Sequence, residues 1–249
     1  METESRALSG SGQPKRYGYR IVVATTGVLV LLCLCLSVLP SVDSHPASMR
    51  TQCRNNLKQI GLALHDYHDE HGCFPPAYTQ DENGRRLHSW RTLILPYMDH
   101  GRLFEQVDLS KPWDHPANRE VRKQCPAAYR CPKAELAAGQ TSYKVVVGKD
   151  TVFPRNGQTR SIDDIADGTS FTVCVVETTA DHAVHWMNPR GDDALEFLSV
   201  LPDSPDLAHT NALFVDGSVD SLTSPTHTNV LAALTTISGG EELDYADWE

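Results

Sequence analysis

The chain has no Cys-x-x-Cys pair, no Gly-x-Ser-x-Gly turn and no glycine-rich phosphate loop of the GxGxxG or GxxxxGK[ST] kind. The first absence excludes zinc ribbons and thioredoxin-like redox centres. The second removes the strained elbow on which many hydrolases raise a serine, and the third removes the backbone cradle that nucleotides need. No other Ser or Cys stands in a recognisable triad motif. Basic residues are also in short supply: 22 Lys and Arg face 32 Asp and Glu, a formal charge of −10. Nucleic acids and anionic lipid surfaces are held by positive charge, so this balance speaks against both as partners.

Charge of either sign is missing altogether from residues 21–38, which read IVVATTGVLVLLCLCLSV. At about 1.5 Å per residue this run nearly crosses a ~30 Å hydrocarbon core, and residues 39–42 extend it. Lys15, Arg16 and Arg20 precede it, whereas the first charge after it is Asp43. The positive-inside rule then places residues 1–20, a polar disordered tail, in the cytoplasm and everything after residue 42 outside. A cleaved signal peptide is the rival reading, but the apolar run is long for one and no Ala-x-Ala site follows it. Either way the remainder is exported, and its 18 basic and 30 acidic residues leave it at −12.

Beyond the span, Cys53, Leu57, Ile60, Leu64 and Tyr67 fall at intervals of four, three, four and three, one apolar stripe of an amphipathic helix. Gly72 ends that helix and Pro75-Pro76 prevents its return. Short helices are expected over Ser89–Met98, with Ser89 as cap, and over Ala117–Lys123. Ser142–Gly148 and Thr169–Glu177 read as strands, being rich in Val, Tyr and Phe between Gly and Asp. In Ala212–Leu222 (ALFVDGSVDSL), Asp216-Gly217 is expected to supply the positive φ values of a tight hairpin turn. His227–Ile237 reads as a last helix, capped by Thr226 or Thr228 and stopped by Gly239-Gly240. The expected architecture is one α+β domain over 43–240 with late strands, followed by an acidic tail over 241–249. Five cysteines lie outside the span, Cys53, Cys73, Cys125, Cys131 and Cys174, so one or two disulfides and at least one free thiol are expected.

The stretch CRNNLKQIGLALHDYHDEHGCFPPA (Cys53–Ala77) resembles the opening of the domain-of-unknown-function 1559 family, bacterial pilin-like proteins tethered to the membrane. SWRTLILPYMDHGRLFEQVDLSKPWD (Ser89–Asp114), YRCP (Tyr129–Pro132), DGTSFTVCVVE (Asp167–Glu177) and HWMNP (His185–Pro189) follow in the family's order, and the resemblance runs through Gly240. It implies a pilin-like fold: a long N-terminal helix, its first half in the membrane and its second half packed on an antiparallel sheet. It implies no cofactor, and as partners the membrane and other envelope or pilin-like proteins. Cys53 and Cys131 fall in the family's two Cys-bearing motifs, which suggests a bond between them, with Cys125–Cys131 as the local rival. Family members carry a His, nine residues, then Asp-Gly; here His209 precedes Asp216-Gly217 by six, so the hairpin is kept and its incoming loop shortened. Gly18 and Tyr19, after Lys15-Arg16, stand where prepilin processing would occur and read as a relic of that site. Val23 stands where pilins place the Glu that a neighbouring subunit satisfies.

Other candidates have plainer readings beside them. His65, His68 and His71 are spaced by three, about 60° apart per step round a helix, so all three would hardly meet one ion; a solvated helix end is simpler. Asp81-Glu82-Asn83-Gly84 lacks the remaining ligands of a calcium loop and reads as a polar turn. Asp163, Asp164 and Asp167 suit the cap of a short helical turn better than a cation. Glu177 closes an apolar strand and needs a hydrogen-bonded partner if buried. Trp90, Trp113 and Trp186 read first as core anchors and second as a ligand face. The expectation is a non-enzymatic envelope protein acting through structure or interaction, with an exported module for a small glycan or cation as the alternative.

Overall fold

A computed structural model describes residues 46–190, 193–194, 198, 209–223, 228–241 and 243. The chain divides into two units, Met1–Ser44 and His45–Glu249, and the description concerns the second. The tail over 1–20 with Gly18 and Tyr19, the apolar run over 21–42 and most of 241–249 lie outside the described residues. Among the described residues no helix is long and apolar enough to cross a membrane.

The first described element is α1 (Pro46–His71), and its stripe behaves as its spacing predicts. Cys53, Leu57, Ile60 and Leu64 are fully buried, and Tyr67 packs partly against the same core. Proline suits the first helical position, where its missing N–H would have no intrahelical partner. At the far end Gly72 takes φ 72° and donates its N–H to the His68 carbonyl at 2.7 Å, the left-handed stop that glycine makes without strain.

A short hairpin follows, β1 (Tyr78–Gln80) and β2 (Arg86–Ser89), in addition to the expected strands. Its strands are three and four residues long and largely polar, too short for alternation to register. Asp81 makes the turn by accepting from the N–H groups of Asn83 and Arg85, as a polar turn should. The segment expected to be a helix over 89–98 divides into α2 (Trp90–Leu93) and a 3-10 turn at Leu95–Met98, separated where Pro96 enters. Ser89 does not cap it; its hydroxyl donates instead to the Trp186 carbonyl at 3.2 Å. After α3 (Gly101–Phe104) the second short helix is likewise divided, into a 3-10 turn at Pro116–Asn118 and α4 (Arg119–Arg122).

Strands then dominate. β3 (Gln140–Thr141), β4 (Tyr143–Val145), β5 (Val147–Gly148) and β6 (Phe153–Pro154) precede β7 (Val173–Glu177) and β8 (Val184–His185). The hairpin of β9 (His209–Phe214) and β10 (Val219–Thr223) and then α5 (Thr228–Ala233) complete the set. The run over 142–148 is therefore two strands broken at Val146, and only the second half of 169–177 is strand, since Thr169–Phe171 forms a 3-10 turn. The main sheet has the order β10-β9-β7-β4 and is antiparallel throughout.

Both faces of this sheet are covered. Val145, Val175, Leu213, Val215 and Val219 share one buried cluster with the stripe of α1. Val146, Val173, Val176, Ala212, Phe214 and Leu222 form a second with Leu231 and Leu234 of the C-terminal segment. Regular alternation would put Val173 and Val175 on one face. A shift of register between them lets Cys174 be the extra residue of a bulge, so Val173 and Val176 point the same way. The architecture is α+β, with antiparallel pairing in its main sheet.

Candidate functional site

Two places bring together residues that the sequence singled out, and a third is built mostly from residues that it did not. The first lies under the N-terminal half of α1. Cys53 is joined to Cys131 by a disulfide across 78 positions, while Cys73, Cys125 and Cys174 are free thiols. Burial pushes the Cys125 thiol up to about 11, so the local rival holds an unreactive thiol. Beneath the disulfide the sheet presents a polar row in register: Tyr143 of β4 opposite Glu177 of β7, and Asn211 of β9 opposite Ser221 of β10.

From Glu177 to Ser221 the row is wired together. Asn211 Nδ2 donates to Glu177 Oε2 at 2.6 Å, and Ser221 Oγ donates to Asn211 Oδ1 at 3.2 Å. Glu177 Oε1 lies 3.1 Å from Cys131 Sγ. Two residues of α1 close it from above: Asn56 Nδ2 reaches the Arg130 carbonyl at 2.9 Å and the Tyr143 hydroxyl at 3.3 Å, and Arg54 donates to Ser221 and the Val219 carbonyl. Burial holds the Glu177 carboxyl above the usual carboxylate range, against the pull of its bond from Asn211. The partner that a buried Glu177 requires is therefore Asn211. Cys53, Cys131 and Glu177 also form a compact group of the kind that can hold a metal, but the disulfide ties up both sulfurs.

The second place is the Asp-Gly hairpin, which seats on the middle of α1. Phe214 N–H donates to the Ser218 carbonyl and Gly217 N–H to the Phe214 carbonyl, so three residues, Val215 to Gly217, make the turn. Only Gly217 takes a positive φ, 84°, whereas a two-residue turn would have demanded it of Asp216 as well. Partial burial acts to raise the Asp216 carboxyl, but hydrogen bonds from Ser218 and Ser170 hold it below its usual range. Gly61 of α1 lets the hairpin approach: a Cβ there would stand 2.9 Å from Leu213 Cδ1. His65 bonds the Val215 carbonyl at 2.8 Å. His209 heads β9 opposite Thr223, and its side chain lies outside the described residues.

The three histidines of α1 do not converge. His68 Nε2 accepts from Ile162 N–H and faces Ser161 Oγ, while His71 faces the Tyr97 hydroxyl. Of the acidic trio, Asp164 accepts from Ser161 N–H in a capping box, whereas Asp167 accepts from the N–H groups of Gly239 and Gly240 in the loop after the last helix.

The third place was not visible in the sequence. A cavity of about 550 Å³ is lined by Arg119, Arg122, Lys123, Ala138, Gly139 and His185. The three cations come from α4 and its end, spaced i, i+3 and i+4, so they share one face. Lys123 pairs with Glu120 at 2.7 Å, but neither arginine has a carboxylate partner among the described residues. Arg122 lies 5.5 Å over the Trp113 ring, and its Nε is buried and bonds no acceptor among the described residues. Trp113 in turn packs on His185 with ring centroids 4.8 Å apart. Trp90 and Trp186 are wholly buried core anchors, whereas Trp113 is half-buried beside the cavity. Burial first, then the charge of Arg122, lowers the His185 imidazole to about 4 and keeps it neutral. Gly139, at φ 76°, leaves the floor open: a Cβ there would stand 3.2 Å from His185 Nε2. A run of basic residues in a domain of net negative charge was the signal that could have pointed here.

Comparison with known proteins yields one positive finding. No curated protein and no solved structure matches the chain. Residues 46–200 match the family described as protein of unknown function (DUF1559), a span that holds α1, the disulfide and the cavity. The chain belongs to the DUF1559 family.

Proposed function

We propose that this protein is a membrane-tethered, pilin-like component of the bacterial cell envelope, structural or interactive in role rather than catalytic. In this reading residues 1–20 are cytoplasmic, 21–42 cross the membrane once, and the domain over 43–240 stands outside. The observation that supports it is the seating of α1. The helix begins just after the uncharged run and lays Cys53, Leu57, Ile60 and Leu64 on an antiparallel sheet. That is the layout of a stem whose first half is apolar. With Val23 in place of the assembly acid, the stem serves as a tether rather than as a filament subunit.

Alkaline extraction of membranes from cells making the full chain, with protease applied to intact spheroplasts, tests the placement. The chain should stay in the membrane pellet and its C-terminal domain should be digested from outside. Release by carbonate, or protection from protease, overturns the tether. For the role, a pull-down with the detergent-solubilised chain should enrich an envelope protein, and enrichment of none counts against interaction. The alternative, an exported module for a small ligand, is favoured by one observation, the cavity beside α4. Its cations argue against a cation as the ligand.

A further inference from the structure

We propose that the cavity between α4 and β8 binds a small solute through an oxyanion group, a carboxylate, sulfate or phosphate. The inference rests on the small-ligand reading and is independent of the tether. Three features carry it.

Charge comes first. Residues 21–249 carry a net −12, so a surface drawn at random would be acidic. Arg119, Arg122 and Lys123 nonetheless converge on one cavity, and among the described residues only Lys123 of the three is ion-paired. The second feature is an unmet bond. Buried donors of charged groups are rarely left without an acceptor, since the lost hydration is not replaced. Among the described residues Arg122 Nε is such a donor, and Arg122 lines the cavity. An oxyanion is the ligand that supplies acceptors in the planar spacing of a guanidinium.

Third, the site is built to hold Arg122 still. Trp113 lies under the guanidinium, and His185 braces Trp113. His185 is itself fixed: Met187 N–H donates to its Nδ1 at 3.3 Å. Trp186 Nε1 donates to the Arg122 carbonyl at 3.1 Å, which secures the end of α4. Glycine at 139 then keeps the floor clear of side chain. The volume, about 550 Å³, suits a monosaccharide-sized solute and excludes a polymer from lying wholly within.

The test is calorimetric titration of the detergent-solubilised full chain with inorganic phosphate, sulfate, glucuronate and glucose. At least one anion should bind saturably, and glucose, which lacks the charge, should not. Phosphate or sulfate alone supports the site and assigns it to those groups; glucuronate alone supports it and assigns it to a carboxylated sugar. Arg122→Gln should weaken the bound anion by about tenfold or more, and the rim pair Arg119→Gln with Lys123→Gln by several-fold. The rim side chains are exposed, so the second variant should melt with the wild type and keep the test valid if the first unfolds. Location is read independently from His185: an anion beside Arg122 offsets the charge that depresses the imidazole, so its NMR titration midpoint should rise on saturation. No saturable binding of any of the three anions at millimolar concentration overturns the proposal. So does equal binding by the rim variant, or binding that leaves His185 unmoved.

Discussion

Replacing both members of the disulfide, Cys53→Ala with Cys131→Ala, should cost this domain several kcal/mol. The bond closes a loop across 78 positions. In the chain-entropy treatment, a loop of this size removes about 15 cal/mol/K from the unfolded ensemble, or about 4.5 kcal/mol at 25 °C. Compaction of the unfolded chain lowers that figure, and measured losses for native disulfides run at about 2–5 kcal/mol. The non-covalent bridge at the same place, Asn56 to the Arg130 carbonyl, survives the substitution and limits the local loosening. Substitution is a cleaner perturbation than reduction, because Cys53 and Cys131 are 0% and 1% exposed and a reductant would reach them only on opening. Urea unfolding of the full chain in detergent, followed by the fluorescence of the buried Trp90 and Trp186, gives the midpoint and the slope. The midpoint should fall, and the slope should rise because an uncrosslinked unfolded chain exposes more surface. A loss below about 1 kcal/mol with an unchanged slope would refute the entropic reasoning.

Two further predictions concern the polar row and the hairpin. The Glu177 carboxyl sits above its usual range through burial, so the native state keeps a proton that the unfolded chain has already lost. By linkage, this group's contribution falls as pH rises from the unfolded value near 4.5 through the folded one, and is restored on acidification. Glu177→Gln should flatten that slope and compare more favourably with wild type at pH 7 than at pH 5; an identical slope in urea midpoints from pH 4 to 8 would count against it. Gly217→Ala forces a Cβ into φ 84°, at about 1–2 kcal/mol, and should lower the circular-dichroism melting midpoint by a few degrees. A midpoint that does not move would mean the turn relaxes at no cost.

What the sequence made legible, and what it did not, follows from how far each signal reaches. The stripe on α1 is legible because helical period and burial are the same fact: a residue every third or fourth position either meets the core or does not. Gly72, Gly217 and the Asp81 turn were readable because each satisfies its constraint within four residues. The β1–β2 hairpin was missed because its three- and four-residue strands carry too few alternations to stand out. Ser89 was misread as a cap because a hydroxyl before a helix has a local use, and here a distant partner, Trp186, outcompetes it. The cavity failed for the same reason in larger form. Arg119 and Arg122 are separated from His185 by more than sixty positions, and the basic run over 119–123 does not by itself tell a cavity rim from a solvated face.

The polar row beneath α1 explains why a helix with so short an apolar stripe holds one position on the sheet. Apolar contact alone tolerates sliding, since a stripe moved by one turn, about 5.4 Å, meets another valine. The hydrogen bonds between α1 and the row do not tolerate it. Tyr143 is buried and bonds Asn56 Nδ2 and the Cys53 carbonyl of α1, Arg54 donates to Ser221 and the Val219 carbonyl, and Glu177 and Asn211 bond along the row itself. A turn of displacement would strand Asn56 and Tyr143, both buried, at roughly 1–3 kcal/mol apiece. The hairpin enforces the same position from the other end, because Gly61 is where Leu213 can approach and His65 is where the Val215 carbonyl is met. The disulfide is then a covalent lock on an alignment that the hydrogen bonds already select. The apolar stripe supplies most of the attraction, whereas the residues that look least suited to a core determine where α1 stops.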